Sequence, residues 1–92
     1  MARLGGDEIE DRLSRLEGWS LEDGALAREQ KCDKFTGSVE FVTQVAGVAE
    51  EMNHHPDLAI SWDTVSITIT THSEGGLTAS DFELAERIDR LG

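Results

Sequence analysis

From Ser38 to Asn53 the apolar residues fall into two neighbouring stripes, Val39, Val42, Ala46 and Ala49 beside Phe41, Val45, Val48 and Met52. A helix carrying both stripes has an apolar face too wide for one helical neighbour and buries most simply against a sheet. The sheet is legible just beyond it. Residues 58 to 72 read as two strands split around Asp63, and in the second Val65, Ile67 and Ile69 alternate with Ser66, Thr68 and Thr70. That is the period of a strand with one face covered. His72 falls in step with the polar set and ends the run.

The flanks complete the pattern. Ile9, Leu13 and Leu16 recur at helical spacing from Asp7 to about Glu17, with Asp7 and Glu10 in a capping arrangement and Gly18 as the stop. Trp19-Ser20-Leu21, the Asp23-Gly24 turn and the segment Ala25 to Gln30 predict a hairpin. Thr78-Ala79-Ser80-Asp81 has the Thr-x-x-Asp spacing of a helix start, and Phe82, Leu84, Ala85, Ile88 and Leu91 carry that helix onward. The expected order is α-β-β-α-β-β-α, an α+β fold in a single domain over residues 1–92.

Composition narrows the function classes. The chain has 19 acidic and 8 basic side chains for a net charge of −11. Such a surface repels phosphate backbones and anionic headgroups, so neither direct nucleic-acid binding nor membrane-surface binding is expected. No apolar run approaches the ~20 residues of a membrane span, and the first residues lack the apolar core of a signal peptide. Cys32 is the only cysteine, which excludes an intramolecular disulfide and a cysteine zinc cluster. A soluble cytoplasmic protein is the expectation, and at 92 residues self-association would help a small core.

Chemistry concentrates in the three histidines. His54 and His55 adjoin the only proline, Pro56, which disfavours helical geometry at His55 and so ends the helix at or before the pair. Histidine gives and takes protons near neutrality, its ordinary pKa being ~6.5. Several readings compete. A histidine at a helix C-terminus also complements the helix dipole, and Asp81 in a first turn is explained by the same dipole. Glu50, four residues before His54, is placed to orient it; Glu50 and Glu51 are equally a solvated acidic face. Three histidines and a carboxylate can bind zinc, although the usual His-x-His and His-x-x-x-His spacings are missing. Nucleophile elbows and phosphate-binding glycine loops are absent; Gly75-Gly76 reads only as a turn.

The run Glu50-Glu51-Met52-Asn53-His54-His55-Pro56, followed by Trp62, His72 and Asp81, resembles the signature of pterin-4a-carbinolamine dehydratases. The spacings are similar throughout: five residues separate Pro56 from Trp62, nine Trp62 from His72, and eight His72 from Asp81. Leu16-Glu17-Gly18-Trp19 and Gly75-Gly76-Leu77-Thr78 resemble further family segments, and the likeness spans residues 7 to 91. The resemblance implies a four-stranded antiparallel sheet with three helices on one face, and assembly into a homodimer or homotetramer. It implies a pterin substrate, the loss of water from 4a-hydroxytetrahydropterin to give quinonoid dihydropterin in tetrahydropterin recycling, and no metal or organic cofactor. His54 and His72 become the expected proton-transfer pair, with neither assigned as acid or base. His55 is expected to bind the pterin or its hydroxyl, Asp81 to orient His72 or hold the pterin, Glu50 to support the site and Pro56 to fix its corner. Gln30 and Cys32 stand where many members carry aromatics, and Leu58 replaces an aromatic two residues after the proline. A rival reading also follows from the resemblance: animal members serve as dimerisation cofactors for a homeodomain transcription factor, so this fold can act as a non-enzymatic interaction module.

Overall fold

The two hairpins lie side by side, joined through their second strands into one four-stranded antiparallel sheet, in a computed structural model that describes residues 2–91. The elements are α1 (Gly6–Leu13), β1 (Ser20–Glu22), β2 (Ala25–Lys31), α2 (Lys34–Met52), β3 (Asp57–Ser61), β4 (Thr64–Ile69) and α3 (Ala79–Asp89), with a short 3-10 turn at His72–Glu74. The strand order is β1-β2-β4-β3. The expected order of elements and the sheet with three helices on one face are both present.

Local chemistry accounts for the strands. Asp23 and Gly24 both adopt positive φ (50° and 78°), as a two-residue hairpin turn of matching twist requires. Partners across an antiparallel ladder share a face. Leu58 and Ile60 of β3 sit opposite Ile67 and Val65, and Leu26 of β2 sits opposite Ile69. These residues therefore form the side that receives the helices. Val65, Ile67 and Ile69 are buried there with Leu26, Phe41, Val45, Phe82, Leu84 and Ile88. Each such side chain contributes about 1.5–3 kcal/mol by leaving water.

Three boundaries differ from the sequence reading, each for a local reason. α1 stops at Leu13 rather than near Glu17, because Arg15 and Leu16 bond back three residues and Leu16 drops into the core as a connector. α2 starts at Lys34, four residues before Ser38; its first turn carries an exposed Phe35 that no apolar periodicity marks. Its buried line is Ser38, Phe41, Val45 and Ala49, while Val39 and Ala46 face outward, so the covered face is narrower than the two stripes suggested. β4 ends at Ile69. Thr71 pairs with Gly76 in an isolated bridge and His72 opens the 3-10 turn, so strand alternation no longer fixes where His72 points.

One further contact fixes the end of the β3–β4 hairpin. Trp62 occupies positive φ (52°), an uncommon state for a bulky residue. The fully buried Ser38 holds it there by donating from Oγ to the Trp62 carbonyl at 2.7 Å.

Candidate active site

The terminus of α2 aims the first histidine. Asn53 adopts the left-handed conformation (φ 50°, ψ 42°). The backbone N–H of His54 donates to the Ala49 carbonyl at 3.0 Å, and that of Asn53 to the Glu50 carbonyl at 3.2 Å. This is the paired bonding of a Schellman motif, in which a left-handed residue turns the chain off the helix. Asn53 rather than Pro56 is therefore the residue that stops α2. The half-buried Pro56, with a trans bond, leads the chain into β3.

The start of α3 supplies the partner. Thr78 and Asp81 form a capping box, and the Thr78 backbone N–H donates to Asp81 Oδ2 at 2.7 Å. The same oxygen accepts from Thr71 Oγ1 at 2.8 Å. The other oxygen, Oδ1, accepts from His54 Nε2 at 2.6 Å. Asp81 is fully buried, yet both of its oxygens are bonded. A buried carboxylate persists only when it is satisfied in this way. Ionised, Asp81 is an acceptor on both of its oxygens. Nε2 of His54 accordingly carries a proton, and Nδ1 is the nitrogen free to accept one.

The other candidates are distributed differently. His55 turns outward and pairs with Glu50, both side chains being largely exposed at 57% and 75%. Glu50 thus meets His55, not His54, which corrects the helical-spacing expectation. The reason is the Schellman turn, which takes His54 out of helical register with Glu50. Asp81 meets His54, not His72. His72 lies exposed at the head of its 3-10 turn and lines a cavity of about 570 Å³ with Arg3, Leu4, Leu21, Gly75 and Leu77. Neither His54 nor His55 lines that cavity. Trp62 stands at the far end of β3 from Pro56, about 20 Å of extended chain away. Leu58 packs against the core. Gln30 receives Arg28, which also reaches Asp89 at the end of α3. Among the described residues no cluster of three or more histidine, cysteine or carboxylate groups is arranged to hold a metal ion, and no helix is long and apolar enough to cross a membrane.

Thr71 is the site residue that the sequence reading passed over. The signal was available: position 71 is in step with Val65, Ile67 and Ile69, so a hydroxyl there points toward the covered face and needs a partner.

Comparisons with known proteins bear on the family and the fold. A family model described as pterin 4 alpha carbinolamine dehydratase matches residues 2–91. A relative named for that family in Sulfolobus acidocaldarius is 45% identical over 89 residues, covering 97% of this chain and 98% of its own. Another, in Mycobacterium sp. strain KMS, is 44% identical over 91 residues, covering 99% and 97%. Among solved structures, a transcriptional coactivator/pterin dehydratase from Brucella melitensis superposes with a TM-score of 0.91 at 33% identity, over 97% of each chain. A pterin dehydratase-like RuBisCO assembly factor of the alpha-carboxysome shares the fold at a TM-score of 0.64 and 20% identity, over 79% of this chain and 84% of its own.

Proposed function

Because the chain belongs to the pterin-4-alpha-carbinolamine dehydratase family, we propose that it removes water from a 4a-hydroxytetrahydropterin and releases the quinonoid dihydropterin. The reaction needs two proton transfers. A base takes a proton from a ring nitrogen, whose electron pair forms the new C=N bond. The C–O bond breaks at the same carbon, and an acid protonates the departing hydroxyl so that it leaves as water. Positioned side chains typically contribute 10²–10⁴-fold each to such steps.

The observation that carries this reading is the pairing of His54 with the fully bonded, buried Asp81. An imidazole whose Nε2–H is held by a carboxylate is fixed in tautomer and orientation and presents Nδ1 as a base, the same logic as in Ser-His-Asp triads. His54 is thereby the base. His72, with no carboxylate partner among the described residues and a cavity of small-molecule size beside it, is the acid. His55 lies on the solvent side of His54 and contacts the pterin or its hydroxyl, with Glu50 holding its ring. No resident metal or organic cofactor has a part in this scheme.

The deciding experiment is stopped-flow dehydration of enzymatically generated 4a-hydroxytetrahydropterin. Wild-type protein should accelerate it with a bell-shaped kcat/KM around neutrality, and His54→Ala and His72→Ala should each lose about 100-fold or more. A folded wild type that gives no acceleration overturns the reading.

A second reading has its own observation. Phe35, Val39, Ile60 and Trp62 are exposed apolar side chains; Phe35 and Val39 share a face of α2, one turn apart. Exposed apolar residues grouped in this way fit self-association, to a homodimer or homotetramer, or docking of another protein. Phe35→Glu with Val39→Glu, followed by sedimentation, separates these roles from catalysis: dissociation with retained turnover assigns the face to assembly alone.

A further inference from the structure

We propose that Thr71 is a positioning residue for this reaction, one hydroxyl that couples the His54 half of the site to the His72 half; the proposal rests on the dehydratase reading above. His54 comes from the end of α2 and His72 from the turn after β4, and no direct bond joins their rings among the described residues. What connects the two segments is the chain His54–Asp81–Thr71. Asp81 Oδ1 holds His54 Nε2 at 2.6 Å, and Oδ2 holds Thr71 Oγ1 at 2.8 Å. Thr71 is covalently joined to His72.

Thr71 is itself fixed from several sides. Its backbone N–H donates to the Gly76 carbonyl at 3.2 Å, and its own carbonyl accepts from Glu74 at 3.0 Å and from Gly76 at 3.3 Å. The 3-10 turn carrying His72 therefore closes on Thr71 at both ends. The Thr71 hydroxyl is also 3.1 Å from Thr78 Oγ1, which places it against the cap of α3. A hydroxyl has one proton to give. Its donation to the buried Asp81 is well satisfied at 2.8 Å, and Thr78 can complete it as a donor.

The consequence is geometric. Proton transfer at two points of one substrate requires both histidines within hydrogen-bond reach of it, and a displacement of ~1 Å costs on the order of 100-fold in rate. Without the hydroxyl, the turn is released from Asp81 while the backbone bridge to Gly76 persists. The fold survives, and the spacing of the two histidines is lost. Thr71 does not line the cavity beside His72, so substrate affinity should change little.

The test uses full-length Thr71→Val, which keeps the shape and removes the hydroxyl, Thr71→Ser, which restores it, and Thr71→Ala as a second hydroxyl-free variant. Thr68→Val, on the opposite face of β4, is the control. Thr71→Val and Thr71→Ala should lose about 10- to 100-fold in kcat with KM changed by no more than about threefold, and Thr71→Ser should recover most of the rate. Nitrogen-15 NMR of the histidine rings provides a readout independent of turnover. Removal of the hydroxyl should shift the ring signals of both His54 and His72, with Thr68→Val moving neither. If only His72, the covalent neighbour, responds, the coupling through Asp81 is wrong. Equal losses in Thr71→Ser and Thr71→Val would assign the residue to packing and overturn the proposal. A wild type without dehydratase activity would defeat the functional reading, and the NMR comparison would still decide whether the coupling exists.

Discussion

His54 and His55 are neighbours in the chain, each beside a carboxylate, and their surroundings could hardly differ more. The His54 side chain is 16% exposed and its partner Asp81 not at all, whereas His55 and Glu50 stand in solvent. Asp81 answers to His54, Thr71 and the cap of α3 together; Glu50 answers to one imidazole. Exposed ion pairs contribute about 0–1 kcal/mol because water screens them and the side chains lose entropy. A buried carboxylate with several donors is different, since deleting it leaves each donor unpaired in the interior at ~1–3 kcal/mol. The pair that looks equivalent in sequence is thus a buried, multiply bonded centre on one side and a solvent-exposed ion pair on the other.

Deleting Asp81 is the strongest way to break this contrast. Asp81→Ala removes the acceptor for His54, Thr71 and the Thr78 backbone at once and should cost about 3–5 kcal/mol in urea unfolding. Asp81→Asn keeps the shape, presents its amide to a neighbouring donor, and should lower the dehydration rate about 100-fold while leaving a folded protein. Wild-type turnover in Asp81→Asn would remove the distinction between the two histidines. Asn53→Ala should have the next largest effect. It places a Cβ residue without local side-chain bonding in the left-handed position, at a cost of about 1 kcal/mol, whereas Asn53→Gly should be neutral. Because His54 is the next residue, activity should fall in Asn53→Ala and persist in Asn53→Gly.

These residues also show what a sequence does and does not disclose. The alternation of Val65, Ile67 and Ile69, the Asp23-Gly24 turn and the Thr78–Asp81 cap are short-range signals, and each became the element it predicted. The family resemblance carried the three-helix arrangement over one face of the sheet. Pairings across distance were harder to read. The spacing of Glu50 and His54 suits a continuing helix, and the left-handed Asn53 ends that continuity, so Glu50 meets His55 instead. Asp81 reads as a capping residue, which it is. That one carboxylate also serves His54, 27 residues earlier, depends on how α2 and α3 pack, and no local pattern encodes this. Val39 and Phe35 likewise differ from Val45 only in which side of α2 meets the sheet.

Glu50→Gln sharpens the exposed half of the comparison. It should change stability by less than about 1 kcal/mol, and raising the ionic strength should remove what difference there is. Turnover should stay within a few-fold of wild type, since His55 retains a hydrogen-bond partner in the amide. A loss approaching that of Asp81→Asn would mean that the outer histidine is held as tightly as the inner one.

The smallest expected effect lies outside the site, where an ion pair with one partner in solvent can be read by pH. Lys31 Nζ approaches Asp63 Oδ2 at 2.8 Å at the open end of the β2–β4 ladder, with the lysine in solvent. The hydrogen bond from Lys31 is the main influence on Asp63 and holds its carboxyl below the ordinary value of 3.8, against a smaller opposing effect of burial. A carboxyl whose pKa is lowered by folding binds fewer protons folded than unfolded, so its stabilisation is present above the unfolded pKa and is lost as pH falls through the folded one. Lys31→Met should therefore lower Tm slightly at pH 5 to 7, and the difference from wild type should close as the pH is taken well below the ordinary value of 3.8. It should also shrink in 1 M salt, where the screening length is ~3 Å. The Asp81 centre should behave otherwise under the same salt change, because its partners are shielded from ions. If Asp81→Asn lost its effect on stability in high salt as Lys31→Met is expected to, the buried pair would be a surface pair in energetic terms, and the contrast between His54 and His55 would have to rest on position alone.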